Sequence, residues 1–431
     1  MAEEAKGTRP NFIFILADDL GYADLGCYGG RADTSPNLDR MAGEGMTFSR
    51  GYANSSVCSP SRFAIITGRY QHRLRGGFDE PIASAREELG LPPEHPTMPS
   101  LLRDAGYATA LVGKWHMGFL PWFGPLKSGY QEFFGHRSGA VDFFSHETFA
   151  GHDLWEGEEE VFVEGYLTDV LTDRAIDFIR RSAEKPFLLS LHYNAPHWPW
   201  ETRDDKAESD RIGNDIPHLD GGSVPIYQEM IRQMDEGIGR VLAAVDEIGA
   251  RDNTLIVFTS DNGGERFSDM WPLVGKKMDL LEGGIRVPYI VRWPVRVDAG
   301  TTNDRLTMGM DWMPTFLAAA GVSPHPDYPL DGVDVFGPED EERRLFWRML
   351  FRNQKAIRKG DWKWLSIDGN EFLYDISFDE RERANMRYRY PERFVELREA
   401  YFEWDRSMPL FPETASVALE YDEHTMAKSD G

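Results

Sequence analysis

Short apolar runs recur along the chain, each followed by a polar cluster and then by a stretch with helical spacing. Asn11–Ala17, Ala108–Val112, Phe187–His192, Leu255–Thr259 and Tyr289–Val291 read as buried strands, because they are nearly continuous in apolar residues and bounded by polar ones. Between them Ser35–Gly45, Thr97–Ala105, Leu167–Arg181, Ile226–Ile248 and Asp311–Ala320 carry the helical period, with Ser35 placed to cap and Pro36 in the first turn. Continuous apolar strands alternating with helices predict an α/β fold, a mostly parallel sheet with helices on both faces.

After about residue 335 the pattern shortens. Phe346–Leu350, Lys355–Arg358, Trp362–Ile367 and Glu371–Tyr374 alternate, with Asp368-Gly369-Asn370 as a hairpin turn and an amphipathic helix over Pro391–Arg406. The expected organisation is an α/β domain over 1–335, a small antiparallel-sheet subdomain with a terminal helix over 336–410, and a polar tail over 411–431. That tail is either loose or an arm gripping a neighbouring subunit, which would make the protein a homo-oligomer.

The strand ends carry the chemistry. Ala17 runs into Asp18-Asp19, Val112 into Gly113-Lys114-Trp115-His116, Tyr193 into Asn194-Ala195-Pro196-His197, and Thr259 into Ser260-Asp261-Asn262. Ligands of open α/β sheets sit outside the carboxyl ends of the strands, so these four clusters are expected to converge on one site.

Composition narrows the partners. The 431 residues exceed the ~150 of one small domain, and 41% hydrophobic with 28% charged residues is enough for a sizeable core. No apolar run approaches the ~20 residues of a membrane helix. A net charge of −25 argues against nucleic acid or an anionic membrane as partner, and any anionic substrate must be drawn in by a local cationic site. Two cysteines, Cys27 and Cys58, make neither a disulfide framework nor a cysteine zinc site. With no apolar leader in the first ten residues, the expectation is a cytoplasmic protein, or a periplasmic or secreted one whose leader was removed.

Cys58-Ser59-Pro60-Ser61-Arg62 precedes an apolar stretch ending at Gly68. Read with Ser59 as N-cap and Pro60 in the first turn, it puts Cys58 at a helix N-terminus, where free N–H groups, the dipole and Arg62 favour an anion. A small buried cysteine before an ordinary capped helix fits the local sequence equally well. A tyrosine-phosphatase loop would need arginine six positions after the cysteine, and residue 64 is Ala64; papain-like and caspase-like surroundings are also missing.

Cys58-Ser-Pro-Ser-Arg62 resembles the modification signature of the type I, formylglycine-dependent sulfatases, arylsulfatase-like members of the alkaline phosphatase superfamily. The resemblance extends to Asn11–Tyr22, Thr109–His116, Pro196-His197, Ser260–Gly263, Lys277 with Glu282–Pro288, and Leu373-Tyr374-Asp375 with Asn385. It implies an alkaline-phosphatase-like fold and conversion of Cys58 to Cα-formylglycine by a formylglycine-generating enzyme. One hydroxyl of the hydrated aldehyde would attack sulfur, and the second would then expel sulfate from the sulfated hemiacetal and restore the aldehyde. Asp18, Asp19, Asp261 and Asn262 offer hard oxygen ligands that suit Ca²⁺ or Mg²⁺, although each pair taken alone is also what a turn or cap uses. The resemblance implies one Ca²⁺ per subunit, with residue 58 beside it.

Lys114, His116, His197 and Lys277 complete the implied site. Arg62 and Lys114 would steady the hydrate and the metal-side charge, His116 would take the proton that lets the hemiacetal collapse, and His197 and Lys277 would hold the ester and protonate the leaving oxygen. Lys277 is chosen over Lys276 because it stands five residues before Glu282. The implied activity is hydrolysis of an aryl or carbohydrate sulfate monoester to alcohol and inorganic sulfate. The alternatives are a phosphonate or phosphate ester hydrolase of the same superfamily and a non-catalytic binding protein in which Cys58 stays a thiol. Trp198, Trp200, Trp115, Trp122 and Phe123 form either an aromatic rim or packing, Cys27 reads as a packed thiol, and the acidic runs 156–160 and 339–342 as solvated loops. Specificity is expected in the loops 120–149 and 198–225.

Overall fold

A computed structural model describes residues 9–30 and 32–419. Its central strands are β1 (Asn11–Ala17), β2 (Met46–Phe48), β3 (Ala108–Gly113), β4 (Glu132–Gly135), β5 (Trp155–Glu156), β6 (Glu159–Glu160), β7 (Phe187–His192), β8 (Thr254–Ser260), β9 (Tyr289–Arg292) and β10 (Thr301–Asn303). They form one ten-stranded sheet in the order β10-β2-β9-β8-β1-β7-β3-β4-β5-β6. The block from β8 to β4 is parallel, while β9 runs antiparallel to β8 and β2. The mostly parallel sheet expected from the apolar runs is therefore present. The strands without a counterpart in the sequence reading, β2, β4, β5, β6 and β10, have only two to four residues, too few to express a period of two.

Side chains of β1 alternate between two cores, as the pleat requires. Ile13, Ile15 and Ala17 face helices α1 (Pro36–Gly43), α4 (Leu167–Arg181) and α5 (Val224–Glu247), through Leu38, Leu171 and Val241. Phe12, Phe14 and Leu16 face α2 (Cys58–Thr67), α3 (Met98–Asp104) and α6 (Trp312–Ala320), through Phe63, Leu102 and Phe316. Both faces of the central strand are thus covered, which explains why it reads as unbroken apolar sequence.

The C-terminal subdomain is a meander of β11 (Arg344–Arg348), β12 (Lys355–Lys359), β13 (Trp362–Ile367) and β14 (Asn370–Asp375), followed by α7 (Pro391–Ser407). Ile367 pairs with Asn370 across Asp368 (φ 51°) and Gly369 (φ 80°), the two left-handed positions that a tight hairpin of matching twist demands. One face, with Leu345, Trp347 and Leu365, packs on Tyr52, Val57 and Ala64 beside the start of α2. The other, with Ile357, Trp364 and Leu373, packs on Leu397 and Tyr401 of α7.

Two expectations change. The acidic run 156–160 is exposed but forms the β5–β6 edge hairpin rather than a loop. Of the expected tail, 420–431 lie outside the described residues. Residues 411–419 run along their own chain: Glu80 N–H donates to Ser416 O and Ala418 N–H to Glu80 O, each at 2.9 Å.

Trp347 is 1% exposed, and its indole N–H donates to Ala53 O at 2.8 Å, so it locks the meander onto the segment that leads into α2. Trp347→Ala is expected to cost about 3–5 kcal/mol, read as a lower urea midpoint. An unchanged midpoint would show that the meander does not brace this segment.

Candidate active site

The sheet register sets the site. Ala17 is paired with Ser260, Leu16 with His192, and His192 with Gly113, so β8, β1, β7 and β3 end side by side. One step beyond the ladder stand Asp261 and Asn262, Asp18 and Asp19, and Lys114 and His116, all at most 1% exposed. Asp19 (φ 63°) and His116 (φ 55°) hold left-handed backbone conformations that cost a non-glycine residue about 1–3 kcal/mol and persist where the surroundings impose them.

Lys277 comes from a loop stitched to this edge. Its N–H donates to Gly264 O at 2.9 Å, Met278 N–H to Ser56 O at 2.9 Å, and Gly263 N–H to Gly284 O at 3.0 Å. A Cβ on Gly263 would lie 1.9 Å from Gly283 O, so only glycine lets the two backbones meet. Glu282 anchors the far end of the loop. Its buried carboxylate accepts from Tyr52 (2.8 Å) and Lys363 (3.1 Å), which ties the loop to the meander.

Helix α2 starts two residues earlier than the capping pattern suggests. Val57, in an extended conformation, is the N-cap and Cys58 is the first helical residue. Ser59 does not cap; its Oγ accepts the Ile82 N–H at 3.0 Å. The competing partner from residue 82 is a tertiary contact that no local pattern contains. Cys58 still lies in the first turn, and Gly68 ends the helix in the left-handed conformation.

The ten residues singled out by sequence form one buried cluster. Lys114 Nζ pairs with Asp18 Oδ2. Arg62 Nε and Nη2 both donate to Asp261 Oδ2, at 3.0 and 2.8 Å. Lys277 Nζ donates to Asp19 Oδ2 at 2.6 Å and lies 3.2 Å from His197 Nε2, and Asn262 Nδ2 donates to Asp19 Oδ1 at 2.6 Å. Three carboxylates thus face three cations, the condition under which such charges are tolerated inside a protein. Arg62 and Lys114 spend their charge on Asp261 and Asp18, so they position the acids.

Several atoms are left with capacity. Asp18 Oδ1 and Asn262 Oδ1 are buried acceptors without a hydrogen-bond partner, an arrangement that calls for an explanation. Burial pushes the Asp18 carboxyl up to about 8 against the pull of Lys114. Burial also pushes the Cys58 thiol up, which keeps it protonated and a poor nucleophile as it stands. Burial, reinforced by Lys114, holds His116 well below the usual imidazole range. Its Nε2–H donates to Ile82 O at 2.8 Å, which leaves Nδ1 as a lone-pair acceptor with no partner. Burial and then Lys277 hold His197 well below the usual imidazole range, and its Nδ1–H donates to Trp198 O at 2.8 Å, so Nε2 faces Lys277 as an acceptor.

A cavity of about 510 Å³ opens over Cys58, His116, His197 and Lys277. Of the five candidate rim aromatics only Trp198 lines it, with its ring 4.2 Å from that of His197. Trp115, Trp200 and Phe123 are core residues, and Trp122 is exposed elsewhere. The expected loops 120–149 and 198–225 contribute residues 138–140, 148, 149, 198 and 216. Sequence reasoning missed residues 81–85, 119, 150–153 and 418–419, which carry no motif; 418 and 419 stand next to Val417, which bridges to Glu80. Cys27 packs at the edge of the core, burial raising its thiol.

The fold is a mixed α/β architecture built on a large, mostly parallel sheet, with the acidic and cationic cluster at its strand ends. The family model described as Sulfatase matches residues 10–322, and the chain belongs to the sulfatase family, the sulfuric ester hydrolases. It is 34% identical to N-acetylgalactosamine-6-sulfatase of Homo sapiens, over 79% of this chain and 68% of that one. It is 28% identical to N-acetylglucosamine-6-O-sulfatase of Bacteroides thetaiotaomicron, over 89% and 83%. The solved structure of Ps i-CgsB in complex with k-i-k-neocarrahexaose superposes with a TM-score of 0.86 at 29% identity, covering 95% of each chain. The phosphonate monoester hydrolase of Agrobacterium radiobacter, at 22% identity and a TM-score of 0.66, shares the fold alone.

Lys114→Met would leave Asp18 buried without its closest cation. In chelator-treated protein this variant should lose about 3–5 kcal/mol of unfolding free energy in urea. A loss below about 1 kcal/mol, the size of an exposed pair, would contradict the buried pairing.

Proposed function

We propose that this sulfatase hydrolyses an aryl or carbohydrate sulfate monoester through a formylglycine at position 58, next to a calcium ion held by Asp18, Asp19, Asp261 and Asn262. The observation that carries the reading is that the ligand atoms of Asp18, Cys58 and Asp261 lie within 4.8 Å of one another, while Asp18 Oδ1 and Asn262 Oδ1 are buried without partners. All-oxygen donors with unspent lone pairs suit a hard dication, and the acids are already oriented by Arg62, Lys114 and Lys277. The dication would polarise the sulfuryl oxygens and lower the pKa of the hydrate. The aldehyde would supply a geminal diol, one hydroxyl to attack and one to release sulfate.

The chain's own groups divide the proton work. His116 Nδ1, neutral and free to accept, suits the base that takes the second hydroxyl's proton. Lys277 Nζ, hydrogen-bonded to Asp19 and facing His197 Nε2, suits the donor side, where the leaving oxygen needs a proton and the ester needs a positive partner. The relatives named for 6-sulfated amino sugars support a saccharide as the natural alcohol.

Mass spectrometry of the tryptic peptide bearing residue 58, with a hydrazide probe, should show an aldehyde in active protein; a full complement of thiol in active enzyme would end this mechanism. Cys58→Ala is expected to abolish sulfate release without changing the fold by circular dichroism. Arg62→Lys, which loses the two-pronged grip on Asp261, should weaken Ca²⁺ binding to the chelator-stripped protein by about 10–100-fold in calorimetry. Unchanged affinity would remove Asp261 from the ion site. Among sulfate, phosphonate and phosphate esters of one phenol, the sulfate should be turned over fastest; faster phosphonate turnover would reverse the assignment.

A further inference from the structure

The cavity over the reacting cluster is poor in charge. Among the described residues that line it, Lys277 is the sole lysine or arginine, and its Nζ already serves Asp19 and His197. His116 and His197 each turn one ring nitrogen to a backbone carbonyl, Ile82 O and Trp198 O, at 2.8 Å. His152 turns Nδ1 toward Ser145 O (3.2 Å) and Nε2 toward Val161 O (2.8 Å), leaving neither nitrogen for a ligand, and its ring stacks on Phe162. The sole lining carboxylate, Asp153, accepts from the N–H groups of Arg137 and Ser138 and from Trp155 Nε1. Arg137, next in sequence to the lining Ser138, lies with its guanidinium 3.9 Å over the Trp155 ring and donates to Gly157 O, and Arg86 and Lys276, next to the lining Ala85 and Lys277, are likewise outside the lining.

The rest of the wall carries no charge: its large side chains, Phe119, Phe149, Trp198, Ile216 and Leu419, are apolar, and Ser84, Ser138 and Thr148 add neutral hydroxyls. Phe149 is 65% exposed at the mouth, an aromatic surface placed to meet a ring. A second anionic group on the substrate would leave water for a wall whose one lysine is already engaged by Asp19 and His197 and which holds a carboxylate, on a protein of net charge −25.

We propose that the leaving-group side of this cavity selects an uncharged alcohol with an apolar face, so that preferred substrates carry the reacting sulfate and no second anionic group within the cavity. The inference rests on the reading of residue 58 as the reacting centre. It sets this chain apart from a structural neighbour, BT4656, whose substrate is the doubly sulfated sugar D-glucosamine-2-N,6-O-disulfate.

The test uses the full chain with residue 58 converted to the aldehyde, and two esters that differ in charge alone, 3-carbamoylphenyl sulfate and 3-carboxyphenyl sulfate. The carbamoyl ester is expected to have at least about a tenfold higher kcat/KM at low salt, with the ratio shrinking as ionic strength screens the repulsion. Ser84→Arg, which places a cation on the exposed rim of the cavity, should narrow that ratio by about threefold or more. Equal turnover of the two esters, or faster turnover of the carboxylate, would overturn the selectivity while leaving the sulfatase reading intact. A ratio unmoved by both salt and Ser84→Arg would overturn its electrostatic origin. If the aldehyde-bearing protein cleaves neither ester nor a 6-sulfated amino sugar, the reading of residue 58 falls and the selectivity falls with it.

Discussion

The arrangement depends on one electrostatic constraint: three carboxylates stand at strand ends where water does not reach, and each must be met by a cation or give up its charge. Asp18, Asp19 and Asp261 are met by Lys114, Lys277 and Arg62, which arrive from three different parts of the chain. Pairing buried charges repays desolvation only when the geometry is good, so the cluster binds those parts into one orientation. The same condition brings ligand atoms of Asp18, Cys58 and Asp261 within 4.8 Å of one another.

The scaffold serves that constraint in layers. The parallel ladder from β8 through β1 and β7 to β3 aligns four strand ends, and two packed cores make the ladder rigid. Glycine at 263 allows the Lys277 loop to lie against the Asp261 turn. The C-terminal meander then seals this loop from outside through Glu282 and Lys363, both fully buried. The subdomain is therefore coupled to the site by a charge network as well as by packing, although none of its residues lines the cavity.

Reactivity and selectivity use different chemistry within the same space. The floor is densely charged and hydrogen-bonded, with histidine tautomers fixed by backbone carbonyls. The walls are mostly apolar and built from segments far apart in sequence, including residues 81–85 and 418–419. A floor of this kind is suited to one tetrahedral anion, whereas such walls recognise shape and surface.

By itself the sequence determined the longer elements and the candidate site residues. Unbroken apolar runs gave the buried parallel strands because a strand covered on both faces has no polar side to alternate. The residues following Ala17, Gly113, Tyr193 and Ser260 announced the site because strand ends in such sheets lie side by side. Asp368-Gly369 named its turn because few residues tolerate two successive left-handed conformations. Tertiary structure alone decided the rest. Ser59 turned from cap to partner of Ile82, Trp198 was separated from four buried or displaced aromatics, and residues near the chain end became cavity wall. Each of those outcomes depends on a contact between residues distant in sequence, and neither local propensity nor periodicity carries information about which distant residue will arrive.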